Sequence, residues 1–366
     1  MGDTLGRMFR VTSFGESHGR CVGVVVEGCP AGLRLQEQDI QRELDRRKPG
    51  KNNLSTGRVE EDRVEIMSGV FNGYTTGAPI CMLVWNKDVG STEYERIRST
   101  PRPGHADLTA PIRYGGFNDY RGSGRFSGRI TAGFVMAGAL AKQLLGQLEI
   151  VVAAHTVEVA GIRARKRNLA EIMENASRDP LGCADPDASV RMMVAIRRAA
   201  QEGDSVGGVI ECIAVNVPPG VGDPVFDTLE GDIAKALFAI PGTKAAEFGS
   251  GFSGSRMKGS ENNDPFTVMN GKIVAQTNNA GGILGGLSTG MPIVCRAAVK
   301  PTASISKPQK TVDLSEMKDT YVETRGRHDP CIVPRAIPVV ESVVAVILAD
   351  HLIRSGHIER VLKVNR

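Results

Sequence analysis

Three side chains in separate loops could transfer protons near neutral pH. His18 stands in the glycine-flanked sequence GESHG, His105 in RPGHAD, and Asp329 in GRHDPC. Histidine is the side chain whose ordinary pKa lies closest to neutrality. A carboxylate with several guanidinium groups nearby stays ionised, which suits a general base. We therefore take these three residues as candidate catalytic groups.

Each of them also has a purely structural interpretation. The first motif could be a tight turn with a capping serine, and the second a surface turn with an incidental histidine. Asp329 could be the N-cap of the helix that follows it. These alternatives stay open at the level of the residues.

Two arginine-rich segments indicate anion binding. The run DRRKPGK (45–51) has more cations than helix capping requires, although a helix C-terminus also favours cations. The run YRGSGRFSGR (120–129) comes just before an apolar helix, so glycine-rich backbone meets a helix N-terminus. Its three arginines oppose the helix dipole, and we expect a bound anion to compensate them. The loop is not of the Walker A type.

Two further segments have glycines, lysine and hydroxyl groups that a cofactor could use. AGGILGG (280–286) is weak evidence alone, since glycines also allow close strand packing. KPTASI (300–305) adds a lysine and two hydroxyl groups. Together they favour a cofactor-binding region.

The elements that position these loops occur twice. GESHG matches GDSVG (203–207), and SGVFNGYTTGAPI (68–80) aligns without a gap on GGILGGLSTGMPI (281–293). His18 corresponds to Val206 in the second copy, as expected for a catalytic group kept in one copy only. We predict two pseudo-repeats, about 10–150 and 200–360, within one domain, joined by a charged helical linker near 163–178.

Each half is predicted to contain strands, a shorter helix and then a long buried helix. The predicted strands are 22–27, 80–84, 209–217 and 293–299, and the predicted long helices are 130–148 and 337–353. The long helices are apolar almost all round, which is typical of buried helices. The predicted fold class is α+β, with a helical core sandwiched between two antiparallel β-sheets.

Composition excludes several classes of protein. The chain has 366 residues and a net charge of +4, which is too small for a nucleic-acid-binding protein. We find no uninterrupted apolar run of about 18 residues and therefore expect no membrane span. The N-terminus has no uncharged apolar core followed by a small-residue cleavage site, so we expect no secretory signal. The seven cysteines contain no C-x-x-C pair. We expect a cytoplasmic protein with reduced thiols and no metal site.

Taken together, the motifs resemble the chorismate synthase family. The motifs occur in that family's order from about residue 5 to 350: GESHG, DRRKPG, RPGHAD, GRFSGR, NNAGGILGG, KPTASI and GRHDPC. The resemblance implies a lyase that converts 5-enolpyruvylshikimate 3-phosphate into chorismate by 1,4-elimination of phosphate, the last step of the shikimate pathway. It also implies reduced FMN as a transient electron donor, an external flavin reductant and a homotetramer.

The resemblance also implies roles for individual residues. His18 would protonate reduced flavin or hold it anionic, His105 would act as an acid, and Asp329 as the base. Ser17 and Ser127 would relay or position protons. The residues implied to hold FMN are Arg125, Phe126, Ser127, Gly285, Lys300, Pro301, Thr302, Ala303, Ser304 and Arg327. Those chosen for the substrate's phosphate and carboxylates are Arg47, Arg129 and Arg335.

Three positions depart from the family's pattern. Phe126 stands where many members have glutamate, so only its backbone could replace a contact made there. Asn53 stands where some members place an arginine linked to pyridine-nucleotide contact, which puts NADPH binding in doubt. The segment 241–244 differs from the common Ala-Val-Lys-Gly, so no flavin contact is assigned to it.

Two other functions compete with this assignment. A non-catalytic RNA- or anion-binding protein would interleave exposed aromatic side chains with its basic loops, yet aromatic residues make up only 5% of the chain. A flavin reductase would reduce FMN directly with pyridine nucleotide. No G-x-G-x-x-G turn follows a predicted strand, so an external reductant is favoured.

Overall fold

The protein is described here by a computed structural model that covers residues 2–48, 61–87, 89–324 and 329–362. The strands are β1 (Thr4–Leu5), β2 (Arg10–Gly15), β3 (Cys21–Glu27), β4 (Val64–Ile66), β5 (Val70–Phe71), β6 (Tyr74–Thr75), β7 (Ile80–Trp85), β8 (Val151–Val159), β9 (Ile162–Arg163), β10 (Gly208–Val215), β11 (Thr243–Phe248), β12 (Phe266–Met269), β13 (Lys272–Ala275), β14 (Ile283–Leu284), β15 (Leu287–Ser288), β16 (Ile293–Val299), β17 (Gln309–Asp313) and β18 (Lys318–Val322).

The helices lie between groups of these strands along the chain. They are α1 (Glu37–Arg47), α2 (Thr92–Arg96), α3 (Thr109–Tyr114), α4 (Thr131–Gly146), α5 (Leu169–Glu171), α6 (Pro186–Gln201), α7 (Leu229–Phe238), α8 (Gly259–Asn262) and α9 (Val333–Arg354). The four predicted strands are confirmed as β3, β7, β10 and β16.

Two five-stranded sheets pack against the core helices. The first has the order β1-β2-β3-β7-β4 and the second β11-β16-β10-β8-β9, and neighbouring strands are antiparallel in both. Buried side chains alternate along β16, so one face of the second sheet packs inward. Helix α4 packs on β3 of the first sheet, and α9 packs on β8 and β10 of the second.

The two long helices are buried, as predicted, and pack on each other. Their close approach requires a glycine: a Cβ added at Gly138 would lie 2.1 Å from the Cβ of Ser342. Helix α9 begins four residues before the predicted start because Pro334 occupies its first turn, where no backbone N–H is needed.

The composition of α9 also satisfies the length and hydropathy expected of a membrane-spanning helix. Its most apolar window has a mean hydropathy of 1.9, and 94% of that window is buried inside the protein. The core helix of a globular protein gives the same signal, so the expectation of no membrane span is not overturned.

The segments that repeat in the sequence form corresponding elements. The first copy folds into the hairpin β5–β6 followed by β7, and the second into the hairpin β14–β15 followed by β16. Gly69 and Gly282 take the same left-handed conformation, and an added Cβ would contact the first residue of the following strand in each copy. The predicted linker contains α5 and a π-helical turn at Ile172–Ala176.

A buried carboxylate ties four elements of the core together. Glu341 of α9 accepts hydrogen bonds from Arg46 of α1 and Lys142 of α4, at 2.5 Å each. It also accepts one from the backbone N–H of Ala154 in β8, at 2.9 Å. Burial alone would raise the pKa of Glu341, but the charges of Lys142 and Arg46 lower it to about 2.

The stability lost on replacing this carboxylate should depend on pH, because wild-type Glu341 titrates and glutamine does not. The folded pKa is depressed, so the stabilisation is complete above the ordinary value of 4.5 and is lost as pH falls toward 2. We expect the free energy of unfolding of Glu341→Gln to be lower than wild type by on the order of 3 kcal/mol at neutral pH. Urea unfolding at several pH values measures the difference. A gap that stayed constant down to pH 2 would contradict this assignment.

Candidate active site

A cavity of about 710 Å³ opens where the two core helices begin. Ile130 and Thr131 at the start of α4, and Ile332 and Arg335 at the start of α9, line it. Helix N-termini favour negative charge, so two of them at one cavity favour an anionic ligand. The cavity also falls within the size range of small-molecule sites.

Most of the predicted site residues line this one cavity. They are His18, Arg47, His105, Arg125, Phe126, Ser127, Arg129, Lys300, Pro301, Thr302, Ala303, Ser304, Asp329 and Arg335. Segments far apart in the sequence therefore converge as expected. Ser17 lies beside the cavity wall and is fully buried, and Gly285 lies at the exposed turn of the β14–β15 hairpin. Arg327 and Asn53 lie outside the described residues.

The imidazole of His18 is held from two sides. Its Nδ1 lies 2.9 Å from Ser91 Oγ, and its ring meets the edge of Tyr94 at a centroid distance of 5.2 Å. Gly122 lies against the opposite side, where an added Cβ would be 2.1 Å from His18 Cδ2. The hydroxyl of the neighbouring Ser17 is buried and has no hydrogen-bond partner in the described part of the chain.

An alanine at Gly122 should displace His18. The residue has φ +57°, and the new methyl group would overlap the imidazole. Displacing a group that takes part in the reaction by about 1 Å costs on the order of 10²-fold in rate, so we expect a loss of that size in turnover. Gly161→Ala is the matched control, because Gly161 also has a positive φ (+78°) but nothing lies within 4 Å of its added Cβ. Equal turnover in the two variants would contradict this role.

His105 is held by an aspartate two residues later. Its Nδ1 lies 2.6 Å from Asp107 Oδ1. Arg102 binds the same carboxylate and also donates to the hydroxyls of Ser123 and Ser304, at 2.8 Å each. Arg102 and Asp107 also belong to RPGHAD, but only His105 of this motif was predicted to have a role.

A buried carboxylate lies between two of the arginines predicted to bind substrate. Asp62 pairs with Arg129 and with Arg47, the latter at 3.3 Å, and all three side chains are buried. Burial alone would raise the pKa of Asp62, but the charges of Arg47 and Arg129 lower it. Asp62 was not predicted to be a site residue, because the acidic run EEDR is typical of a solvated surface.

Each arginine of the loop before α4 has a carboxylate partner within the protein, and the expected bound anion stays a prediction. Arg121 pairs with Asp119, Arg125 with Asp3, and Arg129 with Asp62. These carboxylates come from distant or neighbouring segments that local sequence reasoning did not connect to the loop.

The loop turns sharply before the helix begins. Gly122, Ser123 and Gly124 have successive positive φ angles of 57°, 68° and 50°. Ser127 then caps the turn before α4 by accepting a hydrogen bond from the backbone N–H of Arg129. The turn thus brings both Ser123 and Ser127 to the cavity wall.

Asp329 lines the same cavity and is buried. Its carboxylate pairs with Arg335, and Thr302 Oγ1 donates to its backbone carbonyl at 3.1 Å. Arg335 also donates to the backbone carbonyl of Arg47, at 3.3 Å. Asp329 is therefore connected to both the KPTASI segment and the basic end of α1.

The KPTASI segment contributes the cation of Lys300 to the cavity, and Thr324 contributes a buried hydroxyl. Lys300 Nζ donates to the carbonyl of Gly104 at 2.8 Å. Burial, and to a smaller extent Lys244, lowers the pKa of Lys300. Thr324 Oγ1 is buried at the cavity wall and has no partner among the described residues, so a ligand could satisfy it.

The cavity combines cations, helix N-termini and groups able to move protons. This combination, on an α+β scaffold, defines an enzyme that acts on small anionic molecules. No group of three or more potential metal ligands occurs in the described ranges.

Comparisons with known proteins identify the family. A family model described as "Chorismate synthase" matches residues 9–353. The chain is similar to chorismate synthases of Dehalococcoides mccartyi strain BAV1 (56% identity; 99% of this chain, 100% of the relative) and Korarchaeum cryptofilum (54%; 97% and 98%). It is also similar to a solved structure titled "Crystal Structure of Chorismate Synthase", with TM-score 0.77 and 30% identity, covering 96% of this chain and 93% of that one.

The chain belongs to the chorismate synthase family. It is therefore a lyase that eliminates phosphate from 5-enolpyruvylshikimate 3-phosphate to give chorismate, in the shikimate pathway to aromatic amino acids. This confirms the function that the sequence motifs implied.

Proposed function

We propose that the 710 Å³ cavity is where the elimination occurs and that it binds the substrate together with reduced FMN. The single observation that supports this most strongly is that His18, His105 and Asp329 line one cavity at the N-termini of α4 and α9. Proton-transferring groups and anion-binding elements are thereby combined in one site.

The residues present fit an anionic cofactor. Lys300 supplies a cation. The hydroxyl of Thr324, which has no hydrogen-bond partner among the described residues, can form a hydrogen bond with the ligand. The residues we propose to hold FMN, besides Gly285 and Arg327, are Arg125, Phe126, Ser127, Lys300, Pro301, Thr302, Ala303 and Ser304. Reduced FMN, when bound, supplies a transient electron to the substrate's double-bond system, which helps to expel phosphate.

Three arginines are proposed to receive the substrate's phosphate and carboxylates. Arg47, Arg129 and Arg335 line the cavity, and guanidinium groups suit oxyanions. Two buried carboxylates, Asp62 and Asp329, hold these arginines in place. The arginines are therefore oriented before a ligand arrives.

The proton-transferring residues have distinct proposed roles. His105 donates a proton toward the departing phosphate or the flavin, and His18 holds a proton near the flavin. Asp329 removes a proton near the flavin, and its contact with Arg335 holds its carboxylate in place. Ser17 and Ser127 relay or position protons beside them.

Anaerobic turnover separates this function from a flavin reductase. We expect phosphate release from 5-enolpyruvylshikimate 3-phosphate when FMN is reduced with dithionite, and none when NADPH is the only reductant. Release with NADPH alone would show that the chain reduces FMN itself. No release with dithionite-reduced FMN would contradict the proposed use of the cofactor.

We also propose that the cytoplasmic enzyme works as a homotetramer with an external flavin reductant. The β12–β13 hairpin exposes apolar side chains, including Phe266, Val268 and Ile273, at 64–75%. A second copy that covered them would remove this surface from water. Light scattering that gave a monomer mass would contradict the assembly.

The matching hairpins and strands support two pseudo-repeats, 10–150 and 200–360, in one domain. The packing of α4 and α9 on different sheets supports the proposed helical core between two antiparallel sheets. The α5 region (Leu169–Glu171) lies in the proposed linker. If 10–150 folded cooperatively without the second half, the single-domain assignment would be wrong.

A further inference from the structure

His105 lies in a wall shared by two cavities, and one edge of its ring is fixed. It lines the 710 Å³ cavity and a neighbouring cavity of about 590 Å³. Asp107 Oδ1 lies 2.6 Å from its Nδ1. Within the described ranges, no residue forms a hydrogen bond with Nε2 of His105. This nitrogen is therefore available to a ligand.

Arg102 orients the carboxylate of Asp107. The Arg102 backbone N–H and Nε both donate to Asp107 Oδ2, at 3.1 and 2.6 Å, and Nη2 donates to Oδ1 at 2.8 Å. The Arg102 side chain is only 3% exposed and is itself anchored by Ser123 and Ser304. Asp107 therefore has little freedom to rotate.

This arrangement selects one tautomer of His105. Arg102 Nη2 lies 3.2 Å from Nδ1, but a guanidinium has no acceptor, and the two hydrogens of Nη2 are already donated to Asp107 Oδ1 and Ser123 Oγ. The shorter contact is with a carboxylate, which only accepts, so Nδ1 must hold the proton. We propose that Asp107 is a positioning residue that fixes His105 with its proton on Nδ1 and presents Nε2 to the ligand. This inference rests on the proposed role of His105.

An asparagine at position 107 should reverse the tautomer with little change in shape. Its amide oxygen would stay where Oδ2 accepts two hydrogen bonds from Arg102. The amide nitrogen would replace Oδ1, lose the hydrogen bond from Arg102 Nη2 and face His105 Nδ1 as a donor. Nδ1 would then become the acceptor and the proton would move to Nε2. We expect turnover of Asp107→Asn to fall by about 10²-fold or more.

A double-mutant cycle tests whether Asp107 acts through His105. Turnover with dithionite-reduced FMN is measured for wild type, His105→Ala, Asp107→Asn and the double variant. If Asp107 acts through His105, the double variant should be no slower than His105→Ala. If Asp107→Asn lowers turnover by the same factor in the His105→Ala variant as in wild type, the positioning role is overturned.

Asp185→Asn is the matched control for loss of charge from a buried Asp–Arg pair. Asp185 pairs with Arg167 at 3.2 Å, is 1% exposed and does not line the cavity. Its turnover should equal wild type at a temperature where it is folded. If Asp107→Asn keeps wild-type turnover while His105→Ala loses it, only the positioning inference fails. Wild-type turnover in His105→Ala would instead overturn the proposed role of His105.

Discussion

Asp329→Asn is expected to lower turnover by about 10²-fold or more while the protein stays folded. The carboxylate is 7% exposed, lies at the cavity and is paired with Arg335. Asparagine has nearly the same shape and keeps an oxygen that can accept from Arg335, but it cannot take a proton from the substrate or the flavin. Turnover is measured anaerobically with dithionite-reduced FMN.

The control must separate chemistry from packing, because Asp329 also precedes helix α9. Asp204→Asn serves for this purpose: Asp204 pairs with Lys307 outside the cavity, and nearby Val206 donates to the carbonyl of Pro330. We expect wild-type turnover in this control and similar melting temperatures in both variants. A fully active Asp329→Asn enzyme would remove this residue from the mechanism.

Asp62→Ala is expected to cause the largest loss of stability. Asp62 is 2% exposed and pairs with Arg47 and Arg129, whose side chains are each 4% exposed. Its removal takes away the carboxylate that these two buried guanidinium groups share, and breaking a buried pair typically costs about 3–5 kcal/mol. Chemical denaturation measures the change in the free energy of unfolding.

The neighbouring residue provides a matched control. Glu61 pairs with Lys87, but both side chains are more than half exposed, at 65% and 61%. Exposed ion pairs contribute little to stability, so Glu61→Ala should change the free energy of unfolding far less. If the two variants were destabilised equally, Asp62 would not be the buried centre of this cluster.

The fold could be predicted where the signal is local. Strands β3, β7, β10 and β16 follow runs of β-branched residues, and α4 and α9 are apolar on nearly all faces. The predicted helix 337–353 misses the first four residues of α9, which begins at Val333 with a proline in its first turn. Helix α6 (Pro186–Gln201) was not predicted either.

The candidate site could be predicted only in part, because its ion pairs join distant segments. GESHG, RPGHAD and GRHDPC point to His18, His105 and Asp329 without knowledge of the fold. The pairing of Asp62 with residues 47 and 129 has no local signature. No local sequence pattern predicts the contact of Arg125 with Asp3 either. Where a motif spans both partners, as with Arg102 and Asp107, a five-residue spacing around a Pro-Gly turn could have indicated the pair.

An anaerobic crystal structure with reduced FMN and 5-enolpyruvylshikimate 3-phosphate tests the central claim most directly. We expect both molecules in the cavity at the N-termini of α4 and α9, with His18, His105 and Asp329 in contact with one or the other. Either molecule bound elsewhere, or these three side chains touching neither, would contradict the account.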